Sequence, residues 1–295
     1  MISASESATL PAADPEDCAL LRARLETSIE GDASRAAFVH AQIYAWVAAR
    51  LAEPPRRRPL VLGLSAPQGA GKSTLAANLV ALAGDHGMRA LAISIDDFYI
   101  TRREQIDIAA AHPNHPYLTQ RGYPGTHDVA LGVRTLDALR DCAQDKTVLV
   151  PRYDKSKHGG RGDRAPSGEW TSVRGPLDLV VLEGWMLGFR APMAAPAPDA
   201  WLADIDARLA AYDAWTARLD AFVHLCARDV TQFIAWRSEA EARRQALGLA
   251  GLSPQEIARY AQSFLPAYER YVPELVAHPP NVPYLRVNIG KERLP

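Results

Sequence analysis

The stretch from Ala66 to Thr74, Ala-Pro-Gln-Gly-Ala-Gly-Lys-Ser-Thr, constrains the fold of this chain more than any other. It fits the phosphate-loop pattern G-x-x-x-x-G-K-[ST], with Ala66 in the place of the first glycine. An apolar run of strand type, 59–65, precedes it, and apolar residues at helical spacing, 74–82, follow it. Because strand, glycine loop and helix in this order are the context that the pattern requires, the sequence predicts a nucleotide-binding α/β unit.

The residue types in the loop suit a phosphate group. Gly69 and Gly71 permit backbone conformations that are closed to other residues, so several N–H groups can converge on one anion. The helix that begins near Lys72 adds its positive end. Lys72 can reach the outer phosphates, and the hydroxyl of Ser73 can ligate Mg²⁺. The predicted nucleotide-binding residues are Pro67, Gln68, Gly69, Ala70, Gly71, Lys72, Ser73 and Thr74.

Charge and cysteine usage exclude several classes of protein. The chain of 295 residues has 33 basic and 34 acidic side chains, whereas a nucleic-acid binder usually has a basic excess. Cys18, Cys142 and Cys226 are odd in number and far apart, which predicts neither a disulfide framework nor a zinc site. The first residues lack the pattern of a signal peptide, and no apolar run reaches the ~20 residues of a membrane helix. We expect a cytoplasmic protein that binds neither nucleic acid nor a membrane.

Two further apolar runs end in acidic residues. Residues 89–95 lead into Asp96 and Asp97, and residues 176–182 lead into Glu183. A strand–helix–strand order implies parallel strands, whose carboxyl ends would place these acids beside the phosphate loop. Because successive strand residues point to opposite faces, one of the two aspartates is expected to face the γ-phosphate. Glu183 has the Walker B position, which holds the Mg²⁺ shell.

Two irregular segments carry polar side chains that could bind a second ligand. Arg121 to Asp128 reads Arg-Gly-Tyr-Pro-Gly-Thr-His-Asp, a rigid loop rich in Gly and Pro. Residues 151–164 collect six basic side chains in a glycine-rich stretch. In a chain with a net charge of −1, this local basicity favours a small anion as ligand, and an exposed flexible loop is the alternative. His112 and His115, which have no nearby metal-ligating partners in the sequence, are expected in a surface loop.

Taken together, these stretches resemble the D-glycerate 3-kinases and related bacterial P-loop kinases, a group akin to phosphoribulokinase, uridine kinase and pantothenate kinase. The strings Arg-Gly-Tyr-Pro-Gly-Thr-His-Asp and Glu-Gly-Trp-Met-Leu-Gly-Phe are the most specific for the resemblance. The matching segments are 65–74, 94–99, 121–128, 153–156, 160–164, 182–189 and 236–241.

The resemblance implies an α/β P-loop NTPase three-layer sandwich with a parallel sheet, a mobile helical lid and an N-terminal helical extension. It also implies transfer of a phosphoryl group from ATP, with Mg²⁺, to a hydroxyl of an acidic small molecule, D-glycerate. By position, the catalytic residues would be Lys72, Asp96, Glu183 and Arg237, and the metal would lie near Ser73, Asp96 and Glu183. The acceptor would contact Asp97, Tyr99, Arg121, Tyr123, His127, Tyr153, Lys155, Arg161 and Arg164.

The sequence divides into a helical extension, 1–57, whose first fifteen residues or so are expected to be disordered, and a kinase domain, 58–295. Two helices are expected within 16–53. Other functions stay open: a kinase of the same fold for a nucleoside, pantothenate or a sugar phosphate, a nucleotide-dependent regulatory ATPase, and a binding module without catalysis. The charged stretch 151–164 favours an acidic acceptor over a nucleoside, and the oligomeric state is not indicated.

Overall fold

A five-stranded parallel sheet forms the centre of the molecule, with helices packed against it in a three-layer α/β sandwich. A computed structural model describes residues 10–26, 32–53, 59–246 and 254–291. The elements in chain order are α1 Pro15–Leu25, α2 Ala33–Leu51, β1 Leu60–Ser65, α3 Lys72–Asp85, β2 Ala90–Ser94, α4 Arg102–Ala111, α5 Val129–Arg140, β3 Thr147–Val150, β4 Tyr153–Asp154, the one-turn α6 Lys157–Gly160, β5 Asp163–Arg164, β6 Thr171–Arg174, β7 Leu179–Gly184, α7 Ala200–Leu209, the short α8 Asp213–Thr216, β8 Ala221–Ala227, α9 Gln232–Ala246, α10 Pro254–Gln262, α11 Leu265–Ala277 and β9 Tyr284–Ile289.

The strand order β2-β7-β1-β8-β9 places β1 and β7 in the interior of the sheet. Every residue of these two strands is buried, as their continuous apolar sequences require for strands covered on both faces. In register, Glu183 on β7 lies opposite Leu64 on β1 and Ser94 on β2. The parallel arrangement predicted from the sequence is confirmed, and the carboxyl ends of β1, β2 and β7 meet at one edge of the sheet.

The N-terminal helices pack against α3, the helix that follows the phosphate loop. Asp32 caps the second of them, as its position before the apolar pattern suggests. His40 on α2 lies 2.9 Å from the amide of Asn78 on α3. At the C-terminal end of α3, Asp85 pairs with Arg24 at 2.8 Å. The extension is thus packed on the helix that carries the glycine loop.

The boundaries of the N-terminal predictions are tested only in part. Residues 1–9, for which disorder is expected, and residues 54–58, where the extension would join the kinase domain, lie outside the described chain. Pro11, within the stretch expected to be disordered, accepts a hydrogen bond from the Gln42 side chain at 3.0 Å. The division at residue 57 stays a prediction.

Several segments differ from the sequence predictions. Strand β2 ends at Ser94, and a 3₁₀ turn, Ile95–Phe98, follows because the Ser94 side chain and Asp97 form a reciprocal cap. The segment 201–219 is not one continuous helix but is divided into α7, a 3₁₀ turn and α8. Helix α4 lies in a stretch whose polarity gave no helical pattern. His115 is buried rather than exposed in a surface loop, with its ring 4.8 Å from that of Trp201.

Among the described helices, none combines the length and the hydropathy that crossing a lipid bilayer would need.

We predict that Gly132→Ala destabilises the fold although alanine is normally the better helix residue. Gly132 lies on α5, and a Cβ there would overlap the ring of Trp215. Overpacking of this kind costs about 1–3 kcal/mol. Thermal melting should therefore show a lower Tm.

Gly84→Ala is the matched control, because Gly84 also lies in a helix but a Cβ there meets nothing within 4 Å. This variant should melt at or above the wild-type temperature, with a gain of up to about 1 kcal/mol. Equal Tm values for the two variants would contradict the packing of α5 on Trp215.

Candidate active site

The phosphate loop forms the turn between β1 and α3 that the sequence predicts. Gly69 and Gly71 have φ angles of +78° and +88°, which an L side chain rarely adopts. Gly71 is the N-cap of α3, so the loop N–H groups and the helix N-terminus point toward the same space. The N–H of Gln68 donates to the hydroxyl of Tyr268 at 3.0 Å, which anchors the loop to α11.

Glu183 joins the end of β7 to the start of α3. Its Oε1 accepts a hydrogen bond from the Ser73 hydroxyl at 2.8 Å, and its Oε2 lies 4.0 Å from the ammonium of Lys72. The carboxylate is buried, and none of the described residues donates a hydrogen bond to Oε2. A hydroxyl beside a buried carboxylate is a donor set that Mg²⁺ prefers, so the residues present fit this ion.

The 3₁₀ turn after β2 separates the two neighbouring aspartates. The carboxylate of Asp97 accepts two hydrogen bonds from the main chain. Its Oδ2 accepts from the N–H of Ser94 at 3.4 Å, and its Oδ1 accepts from the N–H of Tyr153 at 3.3 Å. Burial raises the pKa of Asp97 in spite of these contacts and of nearby Arg152. Asp97 borders the cleft, but its carboxylate ties β2 to the start of β4.

Asp96 is the aspartate whose carboxylate makes contacts with side chains of the cleft. Its Oδ2 lies 2.6 Å from the ammonium of Lys155. Burial by itself would raise the pKa of Asp96, but the charges of Lys155 and Lys72 hold it well below its usual range. Asp96 is therefore an ionised carboxylate over the whole physiological pH range.

These groups border one polar cleft with a volume of about 900 Å³. Helices α9 and α10 contribute Arg237 and Tyr260, with the Arg237 guanidinium 5.8 Å from the centre of the Tyr260 ring. Arg237 also pairs with Glu241 at 3.1 Å, and Glu241 is only 2 % exposed. The two residues are one helical turn apart on α9, and the ion pair fixes the direction of Arg237.

The structure brings about half of the predicted acceptor residues to the cleft. Arg121 is positioned by the carbonyls of Gly160 and Arg161, which accept from its Nη1, and it lies 5.5 Å from the centre of the Tyr153 ring. Of the predicted acceptor residues, Asp97, Tyr99, Arg121, Tyr153 and Lys155 border the cleft.

Four other predicted residues do not border the cleft. Tyr123 is buried and donates to the carbonyl of Ser263 at 2.6 Å. His127 packs behind Tyr99 with a ring separation of 4.3 Å, and burial lowers the pKa of His127 to about 3. Arg164 binds the carbonyl of Tyr99, and the side chain of Arg161 is exposed. The motif pattern marks these residues, but the side chains of Tyr123, His127 and Arg164 pack against or bind the surrounding loops, and none of the four lines the cleft.

Sequence reasoning did not single out several residues that border the cleft, among them Tyr260 and Glu169. Tyr260 follows a stretch with ordinary helical spacing, and only the packing of α10 over the cleft distinguishes it. Glu169 lies in a short 3₁₀ turn, Ser167–Glu169, with no motif around it. Neither residue carries a local sequence signal that could have found it.

Comparison with known proteins supports one family. The chain is 40 % identical to the chloroplastic D-glycerate 3-kinase of Arabidopsis thaliana over 246 residues, which is 80 % of this chain but only 54 % of that relative. It is 34 % identical to the uncharacterized kinase mug58 of Schizosaccharomyces pombe, with 83 % of that protein covered. The D-glycerate 3-kinase structure from Cryptococcus neoformans superposes with a TM-score of 0.76 at 27 % identity, covering 86 % of this chain and 96 % of that one. No family model matches the sequence.

The chain belongs to the D-glycerate 3-kinase family of P-loop kinases.

Among the described residues of this P-loop kinase, no cluster of three or more His, Cys, Asp or Glu side chains could hold a metal by itself. An ion bound through Ser73 and Glu183 would therefore complete its shell with phosphate oxygens and water, as is usual for Mg²⁺.

We predict that Gly69→Ala weakens nucleotide binding more than Gly71→Ala does. Both positions have left-handed backbone, so alanine costs a similar strain of about 1–2 kcal/mol at each. At Gly69 the added Cβ would also lie 2.6 Å from the backbone carbon of Trp236 on α9, whereas at Gly71 it meets nothing within 4 Å. Calorimetric titration with a non-hydrolysable ATP analogue measures the difference. Equal affinities would show that the contact between the loop and α9 is unimportant.

Proposed function

We propose that this protein transfers the γ-phosphoryl group of ATP to a hydroxyl of an acidic small molecule, with D-glycerate as acceptor and 3-phosphoglycerate as product. The observation that carries the proposal is the position of Asp96, an ionised carboxylate in the same cleft as Lys72 and Ser73 of the phosphate loop. A protein that only bound nucleotide would not need this carboxylate. Two relatives that bear the name D-glycerate 3-kinase support the choice of acceptor.

The proposed reaction assigns a task to each group. The acceptor hydroxyl oxygen bonds to the γ-phosphorus, the bond to the oxygen that bridges the β- and γ-phosphates breaks, and ADP leaves. The hydroxyl proton passes to Asp96. An Asp is a weak base, which suffices because the transition state is loose and the proton leaves late. Lys72, Arg237 and the loop N–H groups balance the charge on the phosphate oxygens.

Ser73 and Glu183 are the residues that would hold Mg²⁺, with Asp96 at the same edge of the sheet. The ion would supply positive charge to the oxygens of the nucleotide phosphates. In this chain, Glu183 orients the Ser73 hydroxyl through the hydrogen bond of 2.8 Å. Lys72 lies near enough to the same carboxylate to partly neutralise it.

The contacts made by three predicted acceptor arginines favour Arg121 as the residue that binds the carboxylate of the acceptor. Arg164 is committed to the Tyr99 carbonyl and to Asp128, and the Arg161 side chain is exposed outside the cleft. Arg121 borders the cleft and is held in one orientation by the 160–161 carbonyls. Because a fixed guanidinium suits a carboxylate well, we assign Arg121 to the carboxylate of the acceptor.

The three cysteines are free thiols, which supports a reducing compartment such as the cytoplasm for this kinase.

An acceptor panel tests the proposed function. Purified protein with Mg·ATP should release ADP when D-glycerate is added, and much less with uridine, pantothenate or ribulose 5-phosphate, because the cations of the cleft match a small carboxylate. A coupled assay for ADP measures the rates, and mass spectrometry identifies the product. Turnover of another acceptor would assign the same fold to a different substrate. ADP release that does not depend on any acceptor would indicate a regulatory ATPase.

Lys72→Ala should lower kcat at least about a hundredfold, since a preorganised cation that stabilises transition-state charge typically contributes this much. The Tm should change little, because Lys72 lies at the start of α3 beside the cleft and not in the core. Full activity in this variant would refute the assignment of the phosphate loop.

A further inference from the structure

Lys155 contacts the proposed base and borders the cleft in which the acceptor would bind. Its ammonium is 2.6 Å from Asp96 Oδ2, and its own charge is stabilised by Asp96 first, with Glu183 and Tyr260 also contributing. Arg121 borders the same cleft. Lys155 therefore contacts the proposed base and shares the cleft with the proposed carboxylate anchor.

The ammonium of Lys155 has donors left over after it binds Asp96. A lysine ammonium has three N–H donors. One reaches Asp96, and the described part of the chain offers the ammonium no other hydrogen-bond acceptor. Its side chain is 49 % exposed on the cleft side, so the two remaining donors are accessible to a bound molecule.

We propose that Lys155 is the residue that selects an acidic acceptor: it holds Asp96 through one N–H and binds the acceptor's carboxylate through another. The inference rests on the proposed function. A neutral acceptor would bring no negative charge to that ammonium and to Arg121, whereas a carboxylate would pair with both cations. The arrangement links recognition of the charge to the position of the base, since the same ammonium contacts both.

The position of Lys155 on the chain explains how it is aimed. Strand β4 pairs with β5 in antiparallel register, with Tyr153 opposite Arg164, and Lys155 is the first residue of the loop that joins the two strands. The N–H of Tyr153 donates to Asp97, the neighbour of Asp96. The hairpin is thus tied to the aspartate turn two residues before Lys155, which limits where the ammonium can lie.

The test compares Lys155→Met with Lys157→Met, a substitution of the same kind two positions away on the same segment. Lys157 does not border the cleft. Calorimetry with an ATP analogue present gives the Kd for D-glycerate, and steady-state assays give kcat/KM for D-glycerate and for glycerol, which has the hydroxyls but no carboxylate. The melting temperature and the affinity for the ATP analogue check that each variant is folded.

We expect Lys155→Met to raise the Kd for D-glycerate at least tenfold and to reduce the preference for D-glycerate over glycerol by a similar factor. Lys157→Met should leave both within about threefold. Lys155→Arg should restore part of the affinity, because it keeps a cation at the site. An unchanged Kd for D-glycerate in folded Lys155→Met would overturn the inference while leaving the proposed function intact.

A second readout separates loss of selection from general damage to the cleft. If Lys155 selects for charge, Lys155→Met should lower kcat/KM for D-glycerate far more than kcat/KM for glycerol. Equal losses for the two acceptors would show general damage to the cleft and overturn the inference. Absence of turnover with every acidic acceptor in wild-type protein would overturn the proposed function and this inference together.

Discussion

The register of three parallel strands is the constraint on which the candidate site depends. Glu183 lies opposite Leu64 on one side and Ser94 on the other, so one carboxylate is held between the start of the phosphate loop and the aspartate turn. A slip of one residue would turn Glu183 to the other face of the sheet. Complete burial of β1 and β7 makes such a slip costly, because polar groups would then enter the apolar interior.

Charges in the cleft are arranged in pairs that balance locally. Glu183 is near Lys72, Asp96 is bound by Lys155, and Arg237 is directed by the buried Glu241. The net charge of −1 gives no hint of this pairing, because it records only the sum of 33 basic and 34 acidic side chains. The proposed reaction of a triphosphate with an acidic acceptor needs cations at the site, and the fold brings them to the cleft without making the whole surface basic.

Helix α3 is fixed at both ends. Its N-terminus forms part of the phosphate cradle, while its other end is held by Arg24 on Asp85 and by Asp17 on His86, with 2.8 Å for each contact. Tyr44 of α2 stacks on His86 at 5.4 Å. The N-terminal helices thus hold the helix that follows the phosphate loop, although none of their residues borders the cleft.

The sequence by itself determined the elements whose signals are local. The glycine loop and the apolar run of β1 before it are short-range patterns, and so is the apolar run of β7 that ends at Glu183. Each predicts its structure because backbone conformation and strand burial depend on neighbouring residues. The prediction of helices over the cleft came from the resemblance of the motifs to one family. Elements that are short or weakly patterned carry little local signal, as in α4, the breaks within 201–219 and the pairing of β3 with β6.

Only the tertiary structure decided which polar side chains face the cleft. Arg121 and Arg164 look alike in the sequence, yet one borders the cleft and the other is committed to a backbone carbonyl. Likewise, Asp96 and Asp97 are neighbours, and the 3₁₀ turn sends their carboxylates to different partners. Tyr260 reaches the site from a helix far along the chain. The direction of a side chain is set by packing between distant segments, which no local pattern in the sequence records.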